Sequence, residues 1–572
     1  MTRFCAGWGA SVTEIGGVEQ VAASPLSLGL LPGTPSGGAG RYTQLDGAHM
    51  VGEVTLFDLP GARASLRRYT DVRTAAEVFL AAFMEQGPRA LEHLPGAYAA
   101  AIWHAGALWL LRDVAGACTM FYAHTGGTWL ASDSLYDLRS WAACPPRLDY
   151  RGLAAFLAFA YVPGADTLLA GYREVLPGEV LRIDADGLSA QRVGLPQEAR
   201  AVAQSPEPHI TALRADLETA VRSALPDDDI PVGVTLSGGV DSSLVTALAA
   251  RMHTAPVHTY SLDFGPGKPD ESAFSGLVAA HCGTQHHIVR IRERDIRRYF
   301  ADTLRLLDAP VGDPLTVPNF ILARAAAGDG LSVLLNGEGG DPLFGGPKNI
   351  PMLLYEYHRT EAAPADRYRA YLRAYRKCYE DLPFLLTPDA WRAVQATAPL
   401  DDIIAPYLGP NHLTQYVNKL MWANTALKGA HHILPKVGRL VAAQGMQARS
   451  PLFDPRIMAR AFAIPPEYKL HGEVEKWALK QAVADVLPPP IIARPKSGMR
   501  VPVRHWLNGV LRHMAHELLL GRRARARGLF QPQMLRAWLR DETRPGDNAG
   551  VKLWLVLSLE MWLRIYLDGD DV

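Results

Sequence analysis

The chain has 572 residues, 48% hydrophobic and 20% charged, which describes an ordinary globular protein of at least two domains. Its 58 Lys+Arg balance 58 Asp+Glu, which excludes the basic footprint of a nucleic-acid binder and a polybasic membrane patch. Five scattered cysteines (Cys5, Cys118, Cys144, Cys282, Cys378) without CxxC spacing argue against a disulfide framework or a zinc site and fit a reducing, cytoplasmic location, and the N-terminus lacks the pattern of a signal peptide.

Residues 1 to about 195 read as strand-rich, with runs such as 48–54 and 107–112 between Gly/Pro turns and one helical stretch at 75–83. The polar, proline-bearing segment 196–208 reads as a linker. Beyond it, strands at 230–236, 257–264, 286–291 and 331–336 alternate with helices at 242–252, 271–282 and 318–327, which implies a parallel, doubly wound sheet. After about residue 350 the chain reads as mostly helical. The apolar segment 553–567 carries Glu560 and Arg564 and is too short to cross a bilayer, so it reads as a terminal core helix.

Residues Leu236-Ser237-Gly238-Gly239-Val240-Asp241-Ser242-Ser243 join the first of these strands to its helix. Glycines there let the backbone approach an oxyanion, while helix N-terminal amides and the hydroxyls of Ser237, Ser242 and Ser243 supply donors, so the turn reads as a pyrophosphate cradle. Asp241 beside phosphates suits a Mg²⁺ ligand. The strand at 331–336 runs into Asn336-Gly337-Glu338-Gly339-Gly340-Asp341, whose Asp341 could join Asp241 in holding Mg²⁺. Taken alone, that second loop reads as a glycine-rich solvent turn with incidental acids. In a doubly wound sheet, however, both loops sit at the carboxyl ends of strands, where ligands bind.

The octet 236–243 matches the signature of the ATP pyrophosphatase superfamily, and the two loops together resemble the synthetase domain of the asparagine synthetase family, which includes β-lactam synthetases and lasso-peptide cyclases. Further stretches fit in order: 260–264 with Asp270 and Glu271, 283–287, Arg449 to Asp454, and two lysine motifs, 475–480 and 494–499, whose Lys476 and Lys496 stand 20 positions apart. The resemblance implies ATP and Mg²⁺ as cofactors. It assigns Leu236, Ser237, Gly238, Gly239, Asp241, Ser242 and Ser243 to pyrophosphate, Asp241 and Asp341 to metal, and Leu262 and Gly337 to adenosine. Lys496 would hold the α-phosphate with Lys476 in support, and Glu338 would orient or deprotonate an incoming amine. Pro342 departs from the acid usual in asparagine synthetases, and His286 and His287 read as structural.

The first 195 residues resemble the family's glutaminase domain, through 94–103, 110–113, 121–122, 131–133, 148–164 and 176–179. Its N-terminal cysteine nucleophile is missing, because residue 2 is Thr2 and Cys5 lies behind Phe4. Its Asn-Gly-Glu reads Val51-Gly52-Glu53, and its substrate-gripping acid reads Ala75 or Ala76. The expected architecture is an N-terminal Ntn-hydrolase-like α+β sandwich, inactive as a glutaminase (1–195), a linker (196–208), and a doubly wound parallel-sheet ATP pyrophosphatase domain with a helical C-terminal part (209–572).

The expected activity is AMP-forming amide synthesis in which a substrate carboxylate is adenylated and an amine in the same molecule closes a ring, as in a lasso-peptide macrolactam cyclase. A β-lactam-type small-molecule cyclase and an ammonia-dependent asparagine synthetase stay open, as does a scaffold without activity. The expected partner is a precursor peptide, or else a small amino-carboxylate, with a leader-peptide protease and recognition protein alongside. Trp422, Lys428, His431 and His432 are candidate pocket-lining residues.

Overall fold

A computed structural model describes residues 4–8, 19–20, 26–30, 40–142, 145–198, 205–227, 229–268, 271–346, 352, 364–472, 474–494, 498–542 and 548–570. Thr2, Cys144, Asp270 and Lys496 therefore lie outside the described residues.

The amino-terminal half is built on two antiparallel sheets. One orders its strands as 172–174, 121–125, 128–132, 4–8, 26–30 and 19–20, and the other as 187–192, 179–184, 107–112, 96–104, 48–56 and 40–45. The strand Gly96–His104 shows why they stack. Its odd residues Ala99 and Ala101 join a core with Phe4, Val51, Leu108 and Leu110, while Tyr98, Ala100 and Ile102 face the helix Ala75–Gln86. A strand covered on both faces alternates between two cores, and small side chains let both layers come close. Sequence reading placed one helix in this half. The structure adds Leu59–Ala64, Leu135–Trp141 and Tyr150–Phe159. The last was missed because its ten residues are mostly apolar all round, and such a helix has no periodic contrast to read. It is buried in the same core as the carboxy-terminal half.

The carboxy-terminal half opens with the helix Pro206–Ala224, which overlaps the expected linker. Pro206 and Pro208 lie in its first turn, where the missing N–H costs no helical bond, so prolines that read as linker instead start a helix. Five parallel strands follow, ordered 285–290, 257–263, 232–235, 333–335 and 447–449. Sequence reading placed no strand at 447–449, since three residues give no alternation. Between 232–235 and 333–335 the strand order reverses. A crevice opens at such a reversal, where the connections leave to opposite faces.

The rest is helical, and between Asn424 and Ile433 the backbone winds as a π-helix, a rare form. The final helix, Ala549–Tyr566, is almost wholly buried. Among the described residues no helix is long and apolar enough to cross a membrane.

Trp554 anchors that final helix with 1% exposure, its ring 5.1 Å from Phe300 and 6.0 Å from Trp506. Trp554→Ala is expected to destabilise the protein by about 3–5 kcal/mol, read from the midpoint of urea unfolding.

Candidate active site at the strand-order reversal

The two glycine-rich loops leave adjacent strands and touch backbone to backbone. A Cβ on Gly337 would lie 2.4 Å from Ser242 N, and one on Gly340 2.1 Å from Asp241 Oδ1. The first loop folds on its own hydroxyls: Ser242 Oγ accepts from Ser237 N at 3.2 Å and donates to the Gly239 carbonyl at 3.2 Å, and Ser237 Oγ accepts from Gly239 N at 3.4 Å. Ser243 Oγ is fully buried and has no hydrogen-bond partner among the described residues. The helix begins at Val240, two residues before the expected start, so Asp241 stands in its first turn.

The two cradle glycines do different work. Gly238 has φ +72° and no room for a Cβ, which would meet Phe274 Cβ at 2.5 Å, so it is required by the backbone and by the helix Ser272–Cys282. Gly239 has an ordinary φ of −79°, and the nearest atom to its missing Cβ is Ser237 Oγ at 3.5 Å. Gly239 therefore leaves open space at the helix N-terminus, where partial positive charge favours an oxyanion.

Lys476 closes the arrangement. It has no solvent exposure and a left-handed backbone (φ +54°), and its Nζ lies 2.5 Å from Asp241 Oδ2 and 2.5 Å from Asp341 Oδ1. One ammonium thus bridges the two carboxylates that sequence reading gave to a metal. Two carboxylates against one ammonium leave a net negative charge, and each carboxylate has a second oxygen, so this hard-oxygen donor set fits Mg²⁺.

The remaining predicted residues surround this centre. Leu236 and Leu262 lie on neighbouring strand ends, with Leu236 N donating to the Tyr260 carbonyl at 2.8 Å. Glu338 N donates to Asn336 Oδ1 at 3.0 Å, and Asn336 is pinned by the Arg449 carbonyl, which accepts from its N and Nδ2. Arg494, two residues before Lys496, reaches the cradle itself: it donates to the Gly238 carbonyl at 3.2 Å, pairs with Glu271 at 2.7 Å and stacks on Phe274. His286 and His287 stand apart in the sheet, His286 bonded to Thr259 and His287 stacked between Tyr260 and His258.

Two groups escaped sequence reading. Lys469 is fully buried, and burial pushes its pKa down to about 7; its Nζ donates to Asn418 Oδ1, and Asn418 donates to Glu198 at 2.9 Å. Lys436 is buried against Asp313 at 2.5 Å, with His432 Nε2 3.7 Å from the same oxygen. No spacing could have found these, since the partners lie tens to hundreds of residues apart.

A cavity of about 160 Å³ lies between the halves, lined by Glu53, Cys118, Asp133, Arg439 and Arg449 among others. Arg439, from the helix Leu434–Ala442, pairs with Asp308 of its own half at 2.7 Å and reaches across to Thr119 at 2.8 Å. Burial pushes Asp133 up to about 7 despite that guanidinium.

Two outcomes are expected. Lys476→Met, which leaves buried Asp241 and partly exposed Asp341 without their cation, lowers stability by about 3 kcal/mol in denaturant unfolding, whereas Lys480→Met, at a 3.2 Å pair with Glu475 outside the cradle, leaves the Asp241–Asp341 centre intact. Burial also depresses the His432 pKa to about 4, against about 6.5 in an unfolded chain, so the unfolded state binds the extra proton first. Stability attributable to His432 is complete above pH 6.5 and falls as pH drops toward 4, and His432→Gln should flatten that part of the stability–pH curve.

Comparison with known proteins agrees with both halves. Residues 212–564 match the family model described as asparagine synthase, and residues 52–193 the one described as glutamine amidotransferase domain. A putative asparagine synthetase, glutamine-hydrolyzing, of Mycobacterium tuberculosis is 28% identical over 539 residues, covering 87% of this chain and 80% of the relative. Asparagine synthetase 1, glutamine-hydrolyzing, of Bacillus subtilis is 23% identical over 521 residues, covering 86% and 81%. Amidase chry2 of Gibberella zeae is 24% identical over 366 residues, covering 57% and 51%. With its family match spanning 212–564, a cradle at the strand-order reversal and an amidotransferase-type domain ahead of it, the chain belongs to the asparagine synthetase family of ATP-dependent carbon–nitrogen ligases.

Proposed function

We propose that this chain adenylates a substrate carboxylate with ATP and that an amine of the same molecule then displaces AMP, closing a macrolactam of the lasso-peptide type. The observation that carries the adenylation step is the single ammonium of Lys476 joining Asp241 and Asp341 across a cradle of hydroxyls and helix amides.

In the first step a carboxylate oxygen attacks the α-phosphorus, the bond to the bridging oxygen breaks and pyrophosphate leaves. The Gly239 space, the helix N-terminus at Val240 and the hydroxyls of Ser237, Ser242 and Ser243 receive the departing charge. Lys496 is assigned to the α-phosphate, where a cation acts most strongly as charge builds. Mg²⁺, held by Asp241 and Asp341, would neutralise phosphate charge. In the second step the amine nitrogen attacks the acyl carbon, Glu338 accepts its proton, and AMP leaves.

An internal amine is favoured over ammonia by the state of the first half. Cys5 lies within the strand Phe4–Trp8, paired to Gly29 on one side and Ser132 on the other, with 1% exposure. Such a thiol is held away from a chain end and its amine. Ala75 opens a helix capped by Thr74 and Glu77 and offers no carboxylate to a substrate amino group. Glu338, where β-lactam synthetases carry a Tyr, sets this chain apart from them, and Pro342 with the helical region after about residue 350 sets it apart from asparagine synthetases, which leaves the lasso-type reading preferred.

Incubation with ATP, Mg²⁺ and a candidate precursor peptide should yield AMP, pyrophosphate and a product lighter by one water, read by mass spectrometry. ADP in place of AMP refutes adenylation, and asparagine from aspartate plus ammonium refutes the cyclase reading. Asp241→Asn is expected to reduce AMP release at least about 100-fold while the protein stays folded.

A further inference from the structure

The core of the amino-terminal half ends in a single arginine. Arg112, wholly buried, places four of its hydrogen bonds inside its own domain: to the Cys118 carbonyl at 2.6 Å, Glu174 at 2.7 Å, the Val175 carbonyl at 2.7 Å and the Gly116 carbonyl at 3.1 Å. The fifth crosses to the Ala430 carbonyl at 2.7 Å, in the middle of the π-helix. The other oxygen of Glu174 accepts from His431 Nδ1 at 3.0 Å. Burial raises the Glu174 pKa, but His431 and Arg112 outweigh it and hold the carboxyl below its usual value. Gly116, at φ +73°, brings this wall flush against the helix, since a Cβ there would lie 2.5 Å from Ala430 Cβ.

The same turn of π-helix faces the active site. Gly429 admits the Phe453 ring, which a Cβ would meet at 2.9 Å, and the other edge of that ring lies 3.1 Å from where a Cβ on Gly339 would stand. Gly339 opens the short helix that carries Asp341. His432, next to His431, turns instead toward Asp313 and Lys436 and stacks on Tyr161 at 5.3 Å. A π-helix is rare and occurs mostly as single turns, often at functional sites, so one of ten residues is exceptional, and here an external donor ties one of its carbonyls to the neighbouring domain.

We propose that the amino-terminal domain serves the ligase reaction as a splint: Arg112 and Glu174 clamp Ala430 and His431 and so hold the π-helix that backs Phe453 and the Gly339–Asp341 loop. Arg112, Glu174 and His431 are positioning residues, none of which touches substrate. This rests on the adenylating and ring-closing reading above, and it assigns a present use to a domain whose glutamine grips are lost.

The test uses the full-length protein carrying Glu174→Gln, His431→Leu or His431→Asn, the last retaining a side-chain N–H donor. Two measurements are made on each: hydrogen–deuterium exchange across 424–434, and peptide-dependent AMP release with its kcat and KM for ATP. Glu174→Gln and His431→Leu should raise exchange in that segment at least tenfold and lower kcat at least tenfold, with KM for ATP within twofold of the unmodified protein. His431→Asn should recover most of both. A purely structural role would instead reduce the folded fraction and leave kcat per folded molecule unchanged, which overturns the proposal. Unchanged exchange in both disruptive variants overturns it as well. If Glu174→Gln does not fold, His431→Leu decides. If the unmodified protein releases no AMP with peptide, the cyclase reading fails, and the exchange measurement still decides whether the clamp exists.

Discussion

Everything at the active site depends on one buried ammonium. Lys476 reaches the crevice from a two-stranded hairpin, Leu470–His471 with Val474–Glu475, and binds a carboxylate from each of two strand-end loops. Coulomb attraction in a low-dielectric crevice is strong, yet taking Lys476 and Asp241 out of water costs several kcal/mol each, so both depend on their pairing, with partly exposed Asp341 completing it. It therefore behaves as a keystone. Strand pairing brings the octet loop and the Asn336–Asp341 loop together, Lys476 ties the hairpin to both, and its left-handed backbone is a strain of the kind that accumulates at functional sites.

The amino-terminal half carries the amidotransferase-type fold up to the ligase half. Its sheets remain tightly packed, and a cavity persists beside Glu53 and Asp133. Buried polar contacts cross the boundary in both directions: Arg439 donates to Thr119 and to the Asp133 carbonyl in the first half, Arg112 donates to the Ala430 carbonyl in the second, and His431 pairs with Glu174. Buried charge pairs contribute little net stability compared with apolar packing but fix geometry closely, because breaking one partner strands the other. Apolar packing that joins 150–159 to the core of the second half holds the two together, and these polar contacts set their relative position.

The sequence made the core of the site readable because its residues act locally. The octet from Leu236 to Ser243 is a strand, a turn and a helix start within eight positions, and such a motif carries its geometry with it. The positions of the parallel strands followed from alternating patterns in the same way, except for Gln447–Arg449, which is too short to have one. Contacts that cross the chain were invisible. Lys476 was given a supporting part, since nothing in its neighbourhood indicates that its ammonium meets Asp241 from 235 positions away. The prolines at 206 and 208 misled for the opposite reason: a local signal with two meanings, break or start, was resolved only by the tertiary packing of the helix they open.

The backbone contact between Gly337 and Ser242 has a consequence for engineering. Because no side chain of any size fits between the loops, neither can be transplanted or diversified independently. An octet grafted onto another parallel sheet would arrive without the surface that shapes it and with Asp241 facing no cation. The transferable unit is the trio of octet loop, Asn336–Asp341 loop and Lys476 hairpin. New specificity in this scaffold is therefore to be sought in the helices beyond, where substitutions leave that unit untouched.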